Sequence, residues 1–493
     1  MNNDSKMPIV LIGNSFKYET EATLKLFFNT ARFTFINDRN MIEGDRYVVA
    51  EVCGDSEPRR FIAEVCLGGE PVITEGEASS DKLEHEICRA IFHTLCRLTG
   101  IRPPWGIMTG IRPVKKVTEL IEKGLDKEQI RSELTERFEL MPDKFELAYR
   151  TAVNQLPILE KIDRSAASLY VSIPFCPTRC SYCSFVSHSM DSARKLMPEY
   201  ISALCRELEI LGNIVRETGT VIDTIYFGGG TPTSISADEL RAVMEAVGRS
   251  FDISSVREYN VEAGRPDTIT EEKLRVIKEL GASRISVNPQ TLNDDVLRVI
   301  GRQHSGEDAI RAFELARSLG FDNINTDLIA GLPSESPESF RRTLDRICEL
   351  SPESITIHTL TLKRSADLFG FSEGNIGNPA AEMVDYSIEK LHSCGYLPYY
   401  MYRQKNTIDN LENVGYAKKG FESWYNIFIM DETQTILGAG CAASTKLVYP
   451  DGKINRIHNY KFPYEYINRF DELMTKKTEV TECLKKIKSI PQK

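Results

Sequence analysis

Three cysteines stand close together in the sequence, at a spacing suited to redox chemistry. Cys176, Cys180 and Cys183 form a C-x3-C-x2-C run within IPFCPTRCSYCSF. Thiolates are the usual protein ligands of iron–sulfur clusters, and three of them can bind three irons of a [4Fe-4S] cluster. The fourth iron would then be open to a ligand from outside the protein. The spacing therefore predicts a [4Fe-4S] cluster with one available iron.

Three other interpretations of these cysteines remain open. A zinc site could use Cys180, Cys183 and His188, which have C-x2-C-x4-H spacing. A zinc knuckle would also want a cysteine at the position that Ala193 occupies. A redox dithiol would need only a pair of cysteines, and three structural cysteines this close would be a coincidence. The ligand number and the spacing favour the cluster.

From residue 166 onward, short apolar strands alternate with amphipathic helices. These elements would position the cysteine run, which follows the first of the strands. The predicted strands span residues 169–174, 224–227, 259–263, 284–288, 323–329 and 354–360. The predicted helices span residues 198–216, 237–250, 271–280, 307–319 and 337–350. This alternation predicts a parallel sheet with right-handed crossovers. A closed (β/α)8 barrel would need two more units, so we expect a partial (β/α)6 barrel.

Residues that can bind ligands lie at the ends of five consecutive predicted strands. They are Cys176 after the first strand, Gly228, Gly229 and Gly230 after the second, and Glu262, Gln290 and Asp327 in or near the ends of the next three. In parallel α/β barrels, reactive groups gather at the carboxyl ends of the strands. We therefore expect these residues to share one rim.

Each residue type has a chemical use and a structural alternative. The glycines allow backbone to approach a ligand closely, or they form a tight βα turn. Glu262 can accept hydrogen bonds from a ribose diol or an ammonium group, or it is a surface carboxylate. Arg302 can clamp a carboxylate, or it is a helix-end cation. Asp327 lies in a largely apolar strand where an unpaired charge is costly, so we expect a partner or a ligand.

The flanking regions have mixed α and β patterns. Residues 1–165 begin with strand-like runs and a helical stretch at 81–98, which predicts an α+β module. Beyond residue 366, a helix at 380–394 leads to aromatic strand-like runs at 396–402 and 425–429 and to the glycine-bearing segment 437–444. The expected parts are an N-terminal module at 1–165, the barrel at 166–365 and a smaller C-terminal α+β region at 366–493.

The cysteine run, with the aromatic Tyr182 before its third cysteine, resembles the radical S-adenosylmethionine (SAM) superfamily. A wider set of residues is similar to the oxygen-independent coproporphyrinogen III oxidase family: Tyr170, GGGTP at 228–232, Glu262, Gln290, Arg302 and DLIAGLP at 327–333. The match is good over residues 166–365 and looser beyond them. With its extra N-terminal module, the chain resembles the HemZ-type, or coproporphyrinogen dehydrogenase, branch.

This resemblance implies a radical SAM oxidoreductase of heme biosynthesis that carries a [4Fe-4S] cluster and up to two SAM molecules. In the family, Tyr170, Gly228 and Glu262 look like the first SAM site, and Tyr170 is also the catalytic candidate. The residues that look like the second site are Tyr182, Gly229, Gly230, Gln290, Arg302 and Asp327. The implied partners are a porphyrinogen substrate and a reduced electron donor such as flavodoxin or ferredoxin.

The implied reaction converts coproporphyrinogen III to protoporphyrinogen IX without oxygen. A 5′-deoxyadenosyl radical removes hydrogen from a propionate, and loss of CO2 and one electron leaves a vinyl group. A substrate with four carboxylates needs cations, and Arg102 and Arg112 in the repeated TGIRP segment are candidates. A structural linker whose arginines pair with neighbouring acids is an equal alternative.

Two other functions share the same cofactor motifs. The residues after Cys183 are Ser184 and Phe185, without the further cysteine of the best-known oxidases, and this resembles the heme-chaperone relatives. Those relatives present a His-Asn pair as a heme ligand, whereas the comparable stretch here has Tyr425 before Asn426. A heme-trafficking protein and a radical SAM enzyme acting on heme therefore remain alternatives.

The composition restricts the partners further. The chain has 493 residues and a formal net charge of −10, which argues against a general nucleic-acid binder. The only apolar run near the start, residues 7–13, is too short for a signal sequence or a membrane span. Most of the twelve cysteines are scattered singly, as is typical of reduced thiols. We expect a cytoplasmic protein without a membrane span.

Overall fold

A computed structural model describes residues 6–28, 31–110, 112–183, 188–190, 194–361 and 379–489. These residues form two compact units. The first consists of Met1–Pro113, Glu119–Tyr149 and Arg403–Leu411. The second consists of Val114–Thr118, Arg150–Tyr402 and Glu412–Lys493. The predicted boundaries at 165 and 365 stay predictions.

The first unit contains a five-stranded mixed sheet. Its strands are β1 (Met7–Ile12), β2 (Phe33–Ile36), β3 (Arg46–Cys53), β4 (Arg59–Leu67) and β5 (Val72–Ala78), in the order β2-β1-β3-β4-β5. Helix Leu83–Thr99 buries Leu83, Ile87, Ile91 and Leu95 in the same core as residues of the sheet. Their spacing of four residues is typical of a helix with one apolar face. The α+β character predicted for this region is confirmed.

The second unit is built on a parallel sheet of six strands in sequence order. They are β6 (Ala167–Ile173), β9 (Ile222–Gly229), β10 (Glu258–Gly264), β11 (Arg284–Val287), β12 (Ile324–Ala330) and β13 (Ser354–Thr359). The helices that follow β6 and β9 to β12 include Met197–Thr218, Ala237–Ser250, Glu271–Glu279, Gly306–Ser318 and Pro337–Leu350. This is the predicted six-stranded α/β architecture. Two short strands, β7 (Phe175–Cys176) and β8 (His188–Ser189), pair beside it.

Alternation along each strand separates the two faces of this sheet. Leu169, Val171 and Ile173 of β6 pack in the same apolar core as residues of the surrounding helices. The residues between them point the opposite way, because successive side chains of a strand alternate. We call the opposite face the inner face; it carries Tyr170, Tyr226, Glu262, Asp327 and His358.

Strands from the C-terminal part of the chain extend this sheet at both ends. β16 (Thr435–Ala439) pairs parallel to β6 and is followed by β17 (Ser444–Val448) and β18 (Ile454–His458). At the other end, β15 (Glu412–Ala417) pairs antiparallel to β13, with β14 (Leu397–Arg403) outside it. The C-terminal strands therefore continue the sheet of the six parallel strands.

The strand predicted at 425–429 is wrong, because these residues form helix Trp424–Asp431. Ser423 caps this helix, with its side chain accepting a hydrogen bond from the Asn426 N–H. The run is short and apolar apart from Asn426, so periodicity could not separate a buried helix from a strand. Ser423 Oγ and the Trp424 N–H also donate to the Glu258 carboxylate, both at 2.7 Å, which fixes the start of the helix.

Candidate active site

The cysteine loop follows β6 directly, at the carboxyl edge of the parallel strands. Cys176 Sγ lies 3.4 Å from Thr231 Oγ1, on the loop after β9. Cys180 is buried, and the N–H of Cys183 donates to its carbonyl at 3.0 Å. Thr178 Oγ1 donates to the Gly301 carbonyl at 3.0 Å, which ties the loop to the segment after β11. Residues 184–187, directly after the third cysteine, lie outside the described residues.

In the described ranges, no three His, Cys, Asp or Glu side chains are arranged to hold a metal ion. The structure therefore brings the three cysteines onto one loop but not into a closed set of metal ligands. His188, the candidate for a zinc site, forms a ring contact with Phe462, with centroids 5.9 Å apart.

Two buried arginines lie beside the cysteine loop. Arg302 Nη2 donates to the Tyr182 hydroxyl at 3.1 Å, and its Nη1 donates to the Asn288 carbonyl. Arg265 Nη1 lies 3.8 Å from Cys180 Sγ. Burial raises the pKa of Tyr182, so its hydroxyl stays protonated and available for hydrogen bonding. The predicted pair Tyr182 and Arg302 is thus in contact, whereas Arg265 was missed.

The glycine run lets the end of β9 approach the cysteine-bearing segment. A Cβ atom on Gly230 would stand 2.6 Å from the Phe175 carbonyl oxygen, and Gly229 has a φ of +110°. No side chain could be accommodated at either position without a backbone shift. The Gly230 N–H donates to the Ile173 carbonyl at 2.8 Å, so that group is already used within the protein.

The three residues of the predicted first SAM site lie together on the inner face. A Cβ atom on Gly228 would stand 3.3 Å from the Tyr170 ring and 3.4 Å from Glu262 Oε1. The Tyr226 hydroxyl donates to the same Glu262 oxygen. Burial raises the pKa of Glu262 to about 7, with Asp327 adding to the effect and the Tyr226 hydrogen bond opposing it. Glu262 can therefore hold or release a proton near neutral pH.

Three tyrosine rings stack behind Glu262. Tyr226 and Tyr425 lie 4.4 Å apart between centroids, with an interplanar angle of 24°. Tyr170 stacks near both, at 6.2 Å from Tyr226 and 6.4 Å from Tyr425. Tyr425 comes from helix Trp424–Asp431, which places it on the inner face from a distant part of the chain. Sequence reasoning missed Tyr226, although its alternation with Ile225 and Phe227 pointed it to the same face as Gly228.

Gln290 has an unusual backbone and an unused polar atom. Its φ is +70°, a left-handed conformation that costs a residue with a side chain about 1–2 kcal/mol. Its N–H donates to the Asp327 carbonyl at 3.0 Å, and its carbonyl accepts from the Ile329 N–H at 3.0 Å. Gln290 Oε1 and Asn288 Oδ1 are both buried without a hydrogen-bond partner. Strain and unpaired polar atoms at one place are typical of a binding site.

Asp327 has the protein partners that its apolar strand required. Asn325 Nδ2 donates to Asp327 Oδ1 at 2.7 Å, and His358 Nε2 lies 3.7 Å from Oδ2. Tyr402 in turn contacts His358 Nδ1 at 3.2 Å. Burial alone would raise the pKa of Asp327, but the contacts with His358 and Asn325 hold it below its usual range. Asp327 is therefore an anionic group on the inner face, and His358 was missed.

The predicted residues fit a cluster and SAM by their chemistry. Three thiols on one loop provide the donors for a cluster, and Arg265 and Arg302 place positive charge beside Cys180. The unpaired Gln290 Oε1 and Asn288 Oδ1 can accept hydrogen bonds from a polar ligand. Cys176, Cys180 and Cys183 would hold the cluster, and the inner-face residues would contact SAM.

The TGIRP segment belongs to the first unit. Arg102 Nη2 contacts Glu139 Oε2 at 3.4 Å, and Glu139 also pairs with Arg89 at 2.9 Å. This pairing favours the structural alternative for Arg102. The role of Arg112 in binding a substrate stays a prediction.

Comparison with known proteins assigns the fold and the family. Residues 170–347 match the family model of the radical SAM superfamily. The solved structure of the Escherichia coli coproporphyrinogen III oxidase HemN, a radical SAM enzyme, superposes with a TM-score of 0.51 and 24% identity over 66% of this chain and 73% of that one. Fold and cysteine loop thus define a radical SAM protein, which implies a [4Fe-4S] cluster and SAM.

The similarity to curated proteins extends over most of the chain. The oxygen-independent coproporphyrinogen-III oxidase-like protein HemZ of Bacillus subtilis is 40% identical over 465 residues, 87% of this chain and 92% of that protein. The heme chaperone HemW of the same organism is 33% identical over 280 residues, 55% of this chain and 69% of that protein. The chain belongs to the HemZ-type family of oxygen-independent coproporphyrinogen III oxidase-like proteins. The predicted resemblance is confirmed.

No helix in the ranges that the structure describes is both long and apolar enough to cross a membrane.

Proposed function

We propose that this protein catalyses the oxygen-independent oxidative decarboxylation of coproporphyrinogen III to protoporphyrinogen IX. Each of two propionates gives up a hydrogen atom, releases CO2 and passes one electron to an external acceptor. The remaining two carbons form a vinyl group. When bound, the reduced cluster and SAM supply the 5′-deoxyadenosyl radical that takes the hydrogen atom. A small reduced protein such as flavodoxin or ferredoxin is the electron donor in this proposal.

The observation that carries this function is the buried tyrosine stack of the inner face. In the resemblance to the heme chaperones, Tyr425 stands where those proteins have a heme-binding histidine. Its side chain is only 4% exposed. Its ring lies against Tyr226, and both lie behind Glu262. A phenol closed in this way is a poor heme ligand, whereas an apolar, water-excluding wall suits radical chemistry.

The chain's own residues orient and shield in this proposal. Glu262, protonated in part near neutral pH, offers a hydrogen-bond donor or acceptor to the polar part of SAM. Arg302 fixes Tyr182 on the cysteine loop and so keeps that loop at the carboxyl edge. Tyr170 belongs to the tyrosine stack and lies beside Gly228, where its ring can pack against a bound nucleoside.

The heme chaperone is the second candidate, because HemW of Bacillus subtilis is 33% identical to this chain over 280 residues. A direct test incubates the reconstituted protein anaerobically with SAM, a reductant and coproporphyrinogen III. Vinyl products with matching release of methionine and 5′-deoxyadenosine are expected. Stoichiometric heme binding without turnover would contradict the proposal.

A matched pair of variants sharpens this test. Tyr425→Phe keeps the ring and should leave heme unbound, while Tyr425→His introduces the imidazole of the chaperones. If wild type and Tyr425→Phe bind heme as tightly as Tyr425→His, the argument from the tyrosine stack is wrong. An absorption titration with heme separates these results.

A further inference from the structure

Arg265, which follows β10, holds the cysteine loop from the neighbouring strand. Its Nη1 donates to the Thr178 carbonyl at 2.9 Å and to Thr178 Oγ1 at 2.8 Å. The same nitrogen lies 3.8 Å from Cys180 Sγ, within reach of an N–H···S hydrogen bond. Arg265 is 3% exposed, so water screens its charge only weakly.

Asp267 balances this charge from the other side of the guanidinium. Arg265 Nε donates to Asp267 Oδ1 at 3.0 Å, and Nη2 donates to Oδ2 at 2.7 Å, which is a bidentate pair. His304 Nδ1 lies 3.7 Å from Asp267 Oδ1, behind the carboxylate. The three side chains form a line that leads from His304 through Asp267 and Arg265 to the sulfur of Cys180.

We propose that Arg265 and Asp267 are positioning residues that tune the reduction potential of the cluster bound by the cysteine loop, in opposite directions. Hydrogen bonds to cluster sulfurs and nearby charge set these potentials. Arg265 favours the reduced, more negative cluster and raises the potential. Asp267 offsets that charge and lowers the potential. The inference rests on the cluster that the superfamily implies and not on the substrate proposed above.

A second arginine–aspartate pair joins the start of β10 to the start of β9, at the opposite edge of the sheet, and provides a matched control. Arg257 Nε donates to Asp223 Oδ1 at 2.9 Å, and its guanidinium lies 4.2 Å from the Trp424 ring. Arg257 precedes β10, whereas Arg265 follows it, so the two pairs lie at opposite edges of the parallel sheet. Arg257 is expected to stabilise the fold without affecting the cluster.

The test is a redox titration of the reconstituted full-length protein, followed by electron paramagnetic resonance and without porphyrinogen. Arg265→Gln should lower the midpoint potential, and Asp267→Asn should raise it above that of the wild type. Arg265→Lys keeps the charge and should shift the potential less than Arg265→Gln. Arg257→Gln should leave it unchanged. Because turnover is not measured, failure of the proposed reaction would not affect these results.

A purely structural role would produce a different pattern. Shifts of the same sign in Arg265→Gln and Asp267→Asn, or no shift in either, would overturn the inference. If Arg265→Gln takes up no iron, Asp267→Asn decides alone, since it keeps Arg265 and all three sulfurs. A potential at or below the wild-type value, or loss of the cluster in Asp267→Asn, would then contradict the proposal.

Discussion

The amino and carboxyl ends of the six parallel strands β6 and β9 to β13 use their polar side chains differently. At the amino edge, Asp223 accepts from both Arg257 at 2.9 Å and Gln434 at 3.1 Å. Ser168 links Gln434 to Thr224 through hydrogen bonds of 2.6 and 2.8 Å. These hydrogen bonds join the strands to the C-terminal part of the chain, and each of these polar groups has a partner within the protein.

At the carboxyl edge, several groups remain strained, unpaired or costly to ionise. Gln290 has a left-handed backbone and an unpartnered side-chain oxygen, and Asn288 Oδ1 is also unpartnered. Glu262 is buried with a pKa of about 7. Gln290 thus combines strain with an unused acceptor at the edge where parallel α/β barrels bind their ligands, whereas the contacts of Asp223 at the other edge are made within the protein. Substitutions at the two edges should therefore have opposite consequences.

Glu262→Gln should give the largest change in stability at the carboxyl edge. The folded pKa of Glu262 is about 7 against an ordinary value of 4.5, so the folded protein binds this proton more tightly than the unfolded chain does. The resulting stabilisation is complete below pH 4.5 and is lost as pH rises to about 7, with a total of about 3 kcal/mol. Glutamine does not titrate, so Glu262→Gln does not lose this stabilisation as the pH rises.

Thermal unfolding of wild type and Glu262→Gln across this pH range provides the measurement. The variant should gain stability relative to the wild type as the pH rises, and the gain should level off above about pH 8. A difference that does not depend on pH would contradict the assignment of a protonated Glu262. Loss of the Tyr226 hydrogen bond would lower stability at every pH and is thereby distinguished.

Asp223→Asn should show the opposite behaviour at the amino edge. The side chain is only 6% exposed and loses its ion pair with Arg257, so we expect a destabilisation of about 1–3 kcal/mol. Iron content and SAM binding should remain at the wild-type level, because Asp223 lies at the far end of the strand. A calorimetric unfolding scan together with iron analysis checks both points, and a loss of iron would break the comparison between the edges.

Gln290→Gly should produce the smallest change in the free energy of unfolding. It separates stability from SAM binding at the carboxyl edge. Glycine relieves the left-handed backbone, which offsets its higher chain entropy and raises stability by up to about 1 kcal/mol. Removal of the amide should weaken SAM binding at the same time. Gln290→Ala is the matched control, since it loses the amide but keeps the strain. If both variants bind SAM as the wild type does in calorimetry, Gln290 has no role in the site.

Local signals in the sequence predicted most of the parallel sheet and its helices. The helices Ala237–Ser250 and Pro337–Leu350 have their predicted bounds, and Ser236 and Ser336 cap them at the start. The short apolar run at 169–174 predicted the strand that the structure shows as β6 (Ala167–Ile173). In contrast, residues 425–429 lacked any period that separates helix from strand, and the tertiary contact with Glu258 decided their structure.

The residues of the site fall into two groups: those that local sequence patterns indicate and those that only tertiary contacts bring to the site. Cys176, Cys180 and Cys183 are recognised by spacing alone, and Gly228 and Glu262 by their place at strand ends. Tyr425 reaches the inner face through contacts between distant segments, which no local pattern records, whereas His358 lies within the strand predicted at 354–360. Arg265 follows a strand end, as Cys176 does, but a single arginine there has many structural uses.

The central claim is that the loop of Cys176, Cys180 and Cys183 holds a [4Fe-4S] cluster with one iron open to SAM. Electron paramagnetic resonance of the anaerobically reduced protein, before and after SAM addition, tests it most directly when iron and sulfide are analysed alongside. The account predicts a cluster signal that changes on SAM addition, is lost in Cys176→Ser and is kept in Cys205→Ser, whose sulfur lies on helix Met197–Thr218. A spectrum that SAM does not change, or full iron and sulfide content after all three loop cysteines are replaced by serine, would contradict it.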